Sequence, residues 1–397
     1  MSVYIVMPHR LSLLSASLLT CSVIGATLAH ADPLTSPTFT GPLAPNANPM
    51  SFDAGPLGTV FVTGQFSALG LTQSHAVPGS GNSDSLVDLS NAQFEIQNTS
   101  GPLQFFIQGG AYSLPALGTP YLRSDKATTD NFGLLSVGYA KLVLTPEISI
   151  QAGALPTLIG AEYTFSYQNM NIERGLLWNQ EPAVSKGMQI NYSKGPLNAA
   201  VSFNDGFDSD RYNWISGSIS YAFTDSSTLA FAAGGNFSHT FDTKFVAPVA
   251  QGNSSIYNLI YTYTDGPITI NPYLQYTNVG RNPGVGIDTS AQTLGGAILA
   301  KYSITPEFSI AARGEYIKAF GGSCHDESDC SPTNLLYGPD SSALSLTITP
   351  TYQSGIFFAR GELSYTHIGN PTPGFAFGED QNSPDQVRAL LETGILF

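Results

Sequence analysis

The sequence predicts an all-β chain: a transmembrane, antiparallel β-barrel of about sixteen strands, with short turns at one end and long loops at the other. Three observations carry that reading. Stretches of 7–15 residues alternate apolar and polar side chains along most of the chain, the period-two pattern of strands whose two faces meet different surroundings. The connections between these stretches are alternately short and long. A membrane barrel keeps its long loops on one side, whereas a soluble sandwich has no reason to. Only 11% of residues are charged, while Gly numbers 40, Pro 26, Tyr 19 and Phe 23, a composition that favours strands and turns over helices.

Residues 1–31 read as a secretory signal peptide rather than as part of the fold. MSVYIVMPHR is a short basic region, LSLLSASLLTCSVIGATL an apolar core, and Ala29-His30-Ala31 an A-x-A cleavage site. Cys21 follows Leu18-Leu19-Thr20, and Thr is a poor residue before a lipidated Cys. From Asp32 onward no run of 18 apolar residues occurs, so the mature chain cannot cross a membrane as helices. Without the leader, which takes Arg10 and no acid, 14 basic and 29 acidic residues remain, a net charge of −15. That balance argues against nucleic acid as a partner and against docking on anionic lipid surfaces. Cys324 and Cys330, in SCHDESDC, are expected to form a small disulfide loop in an exported protein. A metal site drawing in His325, Asp326 and Glu327 is the alternative, but it is short of the nitrogen and sulfur ligands zinc prefers. No metal and no cofactor are expected.

The elements follow in order. Residues 32–57 contain six prolines and no periodicity, and read as an extended Pro-rich lead-in. Strands are expected at 58–72, 88–98, 102–114, 131–144, 147–159, 186–193, 197–204, 213–223, 227–238, 255–264, 267–279, 292–304, 307–319, 341–351, 355–367 and 386–397. GTVFVTGQFSALGLT, EISIQAGAL and IFFARGELSYTH show the alternation plainly. Tight turns fall at NTSG 98–101, TPE 145–147, SKGP 193–196, TDSS 224–227, TDGP 264–267 and TPE 305–307. The long connections are 73–87, 115–130, 160–185, 205–212, 239–254, 280–291, 320–340 and 368–385. An even count with both ends on the short-turn side, in a barrel this wide, is compatible with a water-filled channel. AKLVLTPEISIQA at 140–152 and AKYSITPEFSIAA at 300–312 echo one another, either as convergent turn chemistry or as a duplicated hairpin.

Alternation also assigns faces. In QVRALLETGILF, Val387, Ala389, Leu391, Thr393, Ile395 and Phe397 share one face, and Arg388 and Glu392 lie on the other. The apolar face is expected to meet lipid, with Phe397 in an aromatic girdle; a strand ending in Phe resembles the assembly signal of Gram-negative outer-membrane barrels. Arg313 and Glu315, Arg360 and Glu362, Arg388 and Glu392, together with Lys301, are all placed inward. A charge facing lipid near the midplane would cost about 2–4 kcal/mol, so one consistent face supports the register. The stripe either tunes permeation or braces the wall through Arg–Glu ladders, and the two roles are compatible.

The loop 160–185 is among the longest and most aromatic, with Tyr163, Phe165, Tyr167 and Trp178 beside Glu162, Glu173, Arg174 and Glu181. It is the candidate constriction loop, with Glu162, Asn169, Asn171, Glu173 and Arg174 as its candidate residues, and the sequence leaves open whether it enters the lumen. GALPTLIGAEY, NMNIERGLLW and KGMQINY resemble the OmpL-like β-barrel porin family (porin-2). The resemblance rests on Gly153, Pro156, Thr157, Gly160, Glu162, Asn169, Asn171, Arg174 and Gly187. It departs at Ala154, where the pattern leads one to expect a basic residue. The resemblance implies an outer-membrane channel and names no solute.

Catalytic patterns are weak. His75, His239, His325 and His367 lie in loops or at strand ends without a recognised nucleophile motif. DGFDSD at 205–210 lacks the distal Glu of a calcium loop and reads as an exposed turn. No enzyme is expected. Two function classes remain: a porin passing small hydrophilic solutes or ions, and a closed outer-membrane barrel serving surface binding or anchoring. Expected partners are outer-membrane lipid, the barrel-assembly machinery and small hydrophilic solutes. The oligomeric state is left open, a homotrimer being one candidate.

Overall fold

The computed structural model describes residues 43–79, 81–241, 249–323 and 334–397. The signal peptide and the Cys324–Cys330 pair, with its metal alternative at His325, lie outside the described residues.

A short strand β1 (Met50–Asp53) precedes sixteen longer ones: β2 (Thr59–Gln73), β3 (Ser85–Asn98), β4 (Leu103–Tyr112), β5 (Val137–Val143), β6 (Ile148–Pro156), β7 (Val184–Lys194), β8 (Leu197–Asn204), β9 (Trp214–Thr224), β10 (Ser227–Asn236), β11 (Ser254–Asp265), β12 (Ile268–Val279), β13 (Ala291–Ser303), β14 (Phe308–Gly321), β15 (Ser342–Ser354), β16 (Phe357–Gly369) and β17 (Asp385–Leu396). From β2 onward each strand pairs antiparallel with the next, and β17 pairs with β2. The sheet therefore closes and leaves its sixteen strands without an edge, the arrangement that satisfies backbone polar groups inside a membrane. Among the described residues no helix is long and apolar enough to cross one.

All sixteen expected strands are present, with one boundary corrected. The stretch 131–136 is not strand: a helix α1 (Ser124–Asp130) occupies the loop before it, and β5 begins only at Val137. The Asp88 carboxylate fixes the start of α1 by accepting from the Ser124 backbone N–H at 2.7 Å and its hydroxyl at 3.0 Å. After α1 the Phe132 and Gly133 amides go to the Tyr112 hydroxyl at 3.0 Å and to Thr128 O at 2.9 Å rather than to a strand ladder. Of the lead-in, the described part from residue 43 to 57 is tied to the barrel. β1 pairs with the first residues of β2, Met50 opposite Val62, just beyond the point where Phe397 faces Gly64. It thus prolongs the seam along the line of β17.

The two faces follow from the alternation. Val87, Leu391, Met188, Val201, Leu274 and Ile298 point outward and are each more than half exposed, a band suited to lipid. Inward, Gln93, Gln108, Asn258, Arg313 and Glu362 are buried. The echoed hairpins share one turn chemistry. The Thr145 hydroxyl accepts the Glu147 and Ile148 amides at 3.2 and 3.1 Å, and the Thr305 hydroxyl accepts those of Glu307 and Phe308 at 3.2 and 3.0 Å.

Candidate functional site

A loop without strand pairing carries backbone N–H and C=O groups that must find partners once it leaves water. The connection between β6 and β7, residues 157–183, finds them inside the barrel on the opposite wall. Inward carboxylates take its amides. Glu362 accepts from Ile172 N at 2.5 Å and Glu173 N at 2.9 Å, Glu315 accepts from Leu176 N at 3.1 Å, and the loop's own Glu162 accepts from Gly175 N at 2.7 Å. Inward guanidinium groups take its carbonyls. Arg313 donates to Glu173 O at 2.7 Å, and Arg360 donates to Asn169 O at 3.0 Å and Ser166 O at 3.1 Å. The Arg–Glu alternation of β14, β16 and β17 is thus a set of complementary receptors for one crossing chain.

The charges also pair among themselves. Arg313 lies 2.7 Å from Glu162 and 3.2 Å from Glu315, Arg360 pairs with Glu392, and Arg388 lies 2.8 Å from Glu173. Ser67, beside a register shift between β2 and β3, donates to Glu392 at 3.1 Å, and Ser166 donates to the same oxygen at 3.2 Å. Such pairs hold position more than they add net stability, because desolvation offsets most of the attraction. Arg388 also donates to Ala116 O at 2.9 Å and Thr119 O at 2.5 Å. The segment after β4 therefore lies beside the crossing loop, bridged in parallel at Ala116 and Arg174.

Each candidate residue has a definite place. Asn171 donates to Thr349 Oγ1 at 2.7 Å and Glu173 accepts from Ser364 at 3.1 Å. Asn169 shapes the loop instead: its side chain accepts from Tyr163 N at 2.7 Å and donates to Phe165 O at 2.8 Å. The Arg174 guanidinium lies over the Trp178 ring, 5.0 Å from its centroid, and makes no hydrogen bond. Burial lowers Arg174 to about 10 despite the acids around it. Burial raises Glu162 in spite of Arg313. Glu181 is raised well above the usual carboxylate range, by burial first and then by Glu162 and Glu315. Lys301 faces inward on β13, one inward position nearer the turns than the Leu299–Arg313 pair, and joins no ion pair with the described residues.

Some contributors escaped the sequence reading. Glu95 accepts from the Tyr167 hydroxyl at 2.8 Å, and Asn91 donates to Ser166 at 2.8 Å. Both sit on β3 in the inward series Asn91, Gln93, Glu95, Gln97, which the polar alternation would have revealed. The reading of 205–210 as an exposed turn is corrected: Asp205 and Asp208 are buried. The carboxylates of Asp205, Asp208 and Asp210 converge, and the Lys186 ammonium lies 2.8 Å from Asp208 and 2.9 Å from Asp210. Desolvation raises Asp205 to about 6.

No curated protein matches the sequence. Among solved structures, outer-membrane expressed OmpT of Vibrio cholerae superposes with a TM-score of 0.55 at 12% identity, over 88% of this chain and 100% of that one. An anion-selective porin from Comamonas acidovorans superposes with a TM-score of 0.55 at 13% identity, over 85% of this chain and 99% of that one. At such identities the likeness establishes the fold, a porin-type outer-membrane barrel. The family described as "Putative beta-barrel porin-2, OmpL-like" matches residues 61–397. With strands β3 to β17, nearly all of β2 and the crossing loop inside that span, the chain belongs to the OmpL-like porin-2 family of outer-membrane β-barrels.

Proposed function

We propose that the protein is a porin through which small hydrophilic solutes or ions diffuse passively, with the loop 157–183 as its constriction. The observation that carries this is the set of Arg–Glu receptors on β14, β16 and β17 that hold the loop across the lumen. Fixed charges lining a narrowed path act on permeating ions at close range, where water screens them least. In this reading the chain is exported by its leader, which is cleaved after Ala31, and inserted by the assembly machinery. Planar-bilayer recordings of the purified barrel test it: stepwise conductance in KCl is expected, and its absence would overturn the reading.

One observation favours a second reading, a closed barrel serving surface binding or anchoring. Leu117, Ala161, Leu176 and Leu177 pack against Tyr273, Ala297, Leu299 and Ile317 as an apolar cluster within the barrel, and such a seal opposes water. The same recordings decide between the two.

A further inference from the structure

Glu181 is buried, and neither of its carboxylate oxygens has a hydrogen-bond partner. Desolvating a carboxylate without donors is costly, so an orphan of this kind calls for an explanation. Nearby donors are already committed. Gln275 Nε2 donates to Leu177 O at 2.9 Å, Asn258 Nδ2 to Gln275 Oε1 at 2.9 Å, and Gln180 Nε2 to Leu335 O at 2.9 Å. Gly160, whose φ of +88° suits glycine, lies so close that a Cβ there would collide with the Glu181 carboxylate. Its N–H is turned to Asn258 Oδ1 at 3.3 Å.

A second orphan shares this region. Tyr273, on β12, is buried with its hydroxyl unpartnered. Tyr273 stands two residues from Gln275 on the same inward face of β12, packed with Ala161 and Leu177. Gln275 and Asn258 tie that face to Leu177 and to Gly160, the residue that abuts the Glu181 carboxylate. One oxygen of Glu315 is also unpartnered. Arg313 pairs with Glu162 and Glu315, and the Arg174 guanidinium lies over Trp178. Among the described residues no ion pair therefore reaches Glu181, whose two oxygens stay free together with the Tyr273 hydroxyl and one Glu315 oxygen. Glu162, Glu181 and Glu315 do not close on a single point: among the described residues, only Asp205, Asp208 and Asp210 bring acidic oxygens close enough together to share one metal ion. Oxygens spread in this way suit a polyatomic cation, whose several N–H groups reach separate acceptors.

We propose that Glu181 and Tyr273, backed by Glu315, form a subsite in the lumen for the ammonium head of a small organic cation. The subsite deepens the diffusion reading and rests on it: the cation would pause here while crossing. Glu181 must be ionised to hold it, and its raised proton affinity means that occupancy falls as the solution is acidified.

The test uses ethylammonium chloride and the full barrel purified in detergent. In bilayers, ethylammonium is expected to reduce the KCl current saturably. Glu181→Gln should weaken that block about tenfold or more, the loss expected for one charge-assisted hydrogen bond. Tyr273→Phe should weaken it about threefold to tenfold, as for a neutral one. Glu147→Gln, in an exposed turn, is the control and should leave the block as in wild type. Heat-modifiable gel migration checks that each variant is folded. Absence of saturable block, or equal block in folded Glu181→Gln, overturns the subsite while leaving a conducting porin. If the wild type does not conduct, the diffusion reading fails by itself, and calorimetric titration of ethylammonium decides the subsite: binding lost in Glu181→Gln upholds it, and no binding overturns it.

Discussion

Phe397 and Gly64 face each other across the barrel seam. Gly64 N donates to Phe397 O at 2.8 Å, Phe397 N donates to Gly64 O at 2.9 Å, and the ring covers Gly64 so closely that a Cβ there would lie 2.5 Å from Cζ. An aromatic side chain laid over a strand glycine shields backbone that would otherwise be bare and pins the register. The pair stands where β17 leaves off and β1 takes over as the partner of β2. It therefore fastens the junction of three chain segments.

Deleting Phe397, or replacing it with Asp, should impair outer-membrane assembly while export continues. Gly64→Val should overpack the same contact and cost about 1–3 kcal/mol. Normal surface levels and normal heat-modifiable migration in the Phe397 variants would refute the first expectation. An unchanged thermal transition would refute the second.

The crossing of the lumen by the loop can be trapped. Asn171 Nδ2 lies 2.7 Å from Thr349 Oγ1, so Asn171→Cys with Thr349→Cys should be joined by a short bis-thiosulfonate reagent at high yield. A loop standing outside the barrel would give no such link. Mass spectrometry of the digested product reads the result directly.

Arg313 is the most heavily committed anchor, holding Glu162, Glu315 and the Glu173 carbonyl. Arg313→Gln should destabilise the barrel by about 3–5 kcal/mol, since it leaves buried carboxylates uncompensated. Adding Glu162→Gln should restore part of that loss, and limited proteolysis should cut within 157–183 only in the single variant. Additive effects of the two substitutions would show that they do not interact.

These anchors also show what a sequence can and cannot disclose. The inward placement of Arg313, Glu315, Arg360, Glu362, Arg388 and Glu392 was legible because strand periodicity is local and charge on the lipid face is costly. Their partners were not. Leu176 meets Glu315 across 139 residues of chain, Glu173 meets Glu362 across 189, and Ser166 meets Glu392 across 226. No repeat within the loop specifies such a meeting; it follows from barrel closure. β1 was missed for the same reason: its partner is the mouth of β2, and nothing in MSFD itself alternates strongly. The acids at 205–210 were misread because Lys186, on the neighbouring strand, pairs with buried Asp208 and with Asp210.

Acid should stabilise the folded barrel. Burial raises Asp205 from 3.8 to about 6 and raises Glu181 well above 4.5. The folded chain therefore binds more protons than the unfolded one in that window, and stability falls as pH rises through it. The thermal transition in detergent should fall between pH 4 and pH 6 as Asp205 titrates, and Glu181, raised in the same direction, should add to the fall. Glu181→Gln should make the fall shallower. A transition that rises with pH would contradict the assignment.

The last expectation concerns ion preference. The net charge of the whole sequence is −14, and acids such as Glu379 and Asp380 in the loop after β16 should gather cations at the mouth. Mouth charges are screened beyond about 8 Å at physiological salt, so this part of the preference should fade as salt rises. Asp208 and Asp210 contribute less than their number suggests, because Lys186 sits between them. Charges at the crossing loop are felt at close range. There, Arg174, Arg313, Arg360 and Arg388 stand against Glu162, Glu173, Glu181, Glu315, Glu362 and Glu392, all buried. Glutamates outnumber arginines, while the raised proton affinity of Glu162 and Glu181 trims their excess. The sum is a modest cation preference, strongest at low salt and declining without reversing. The reversal potential across a KCl gradient measures it, in the wild type and in Arg313→Gln with Arg360→Gln. The double variant, freed of two fixed cations, should prefer cations more strongly. Clear anion selectivity in the wild type would sink the argument from charge, and an unchanged double variant would place the ladder off the ion path.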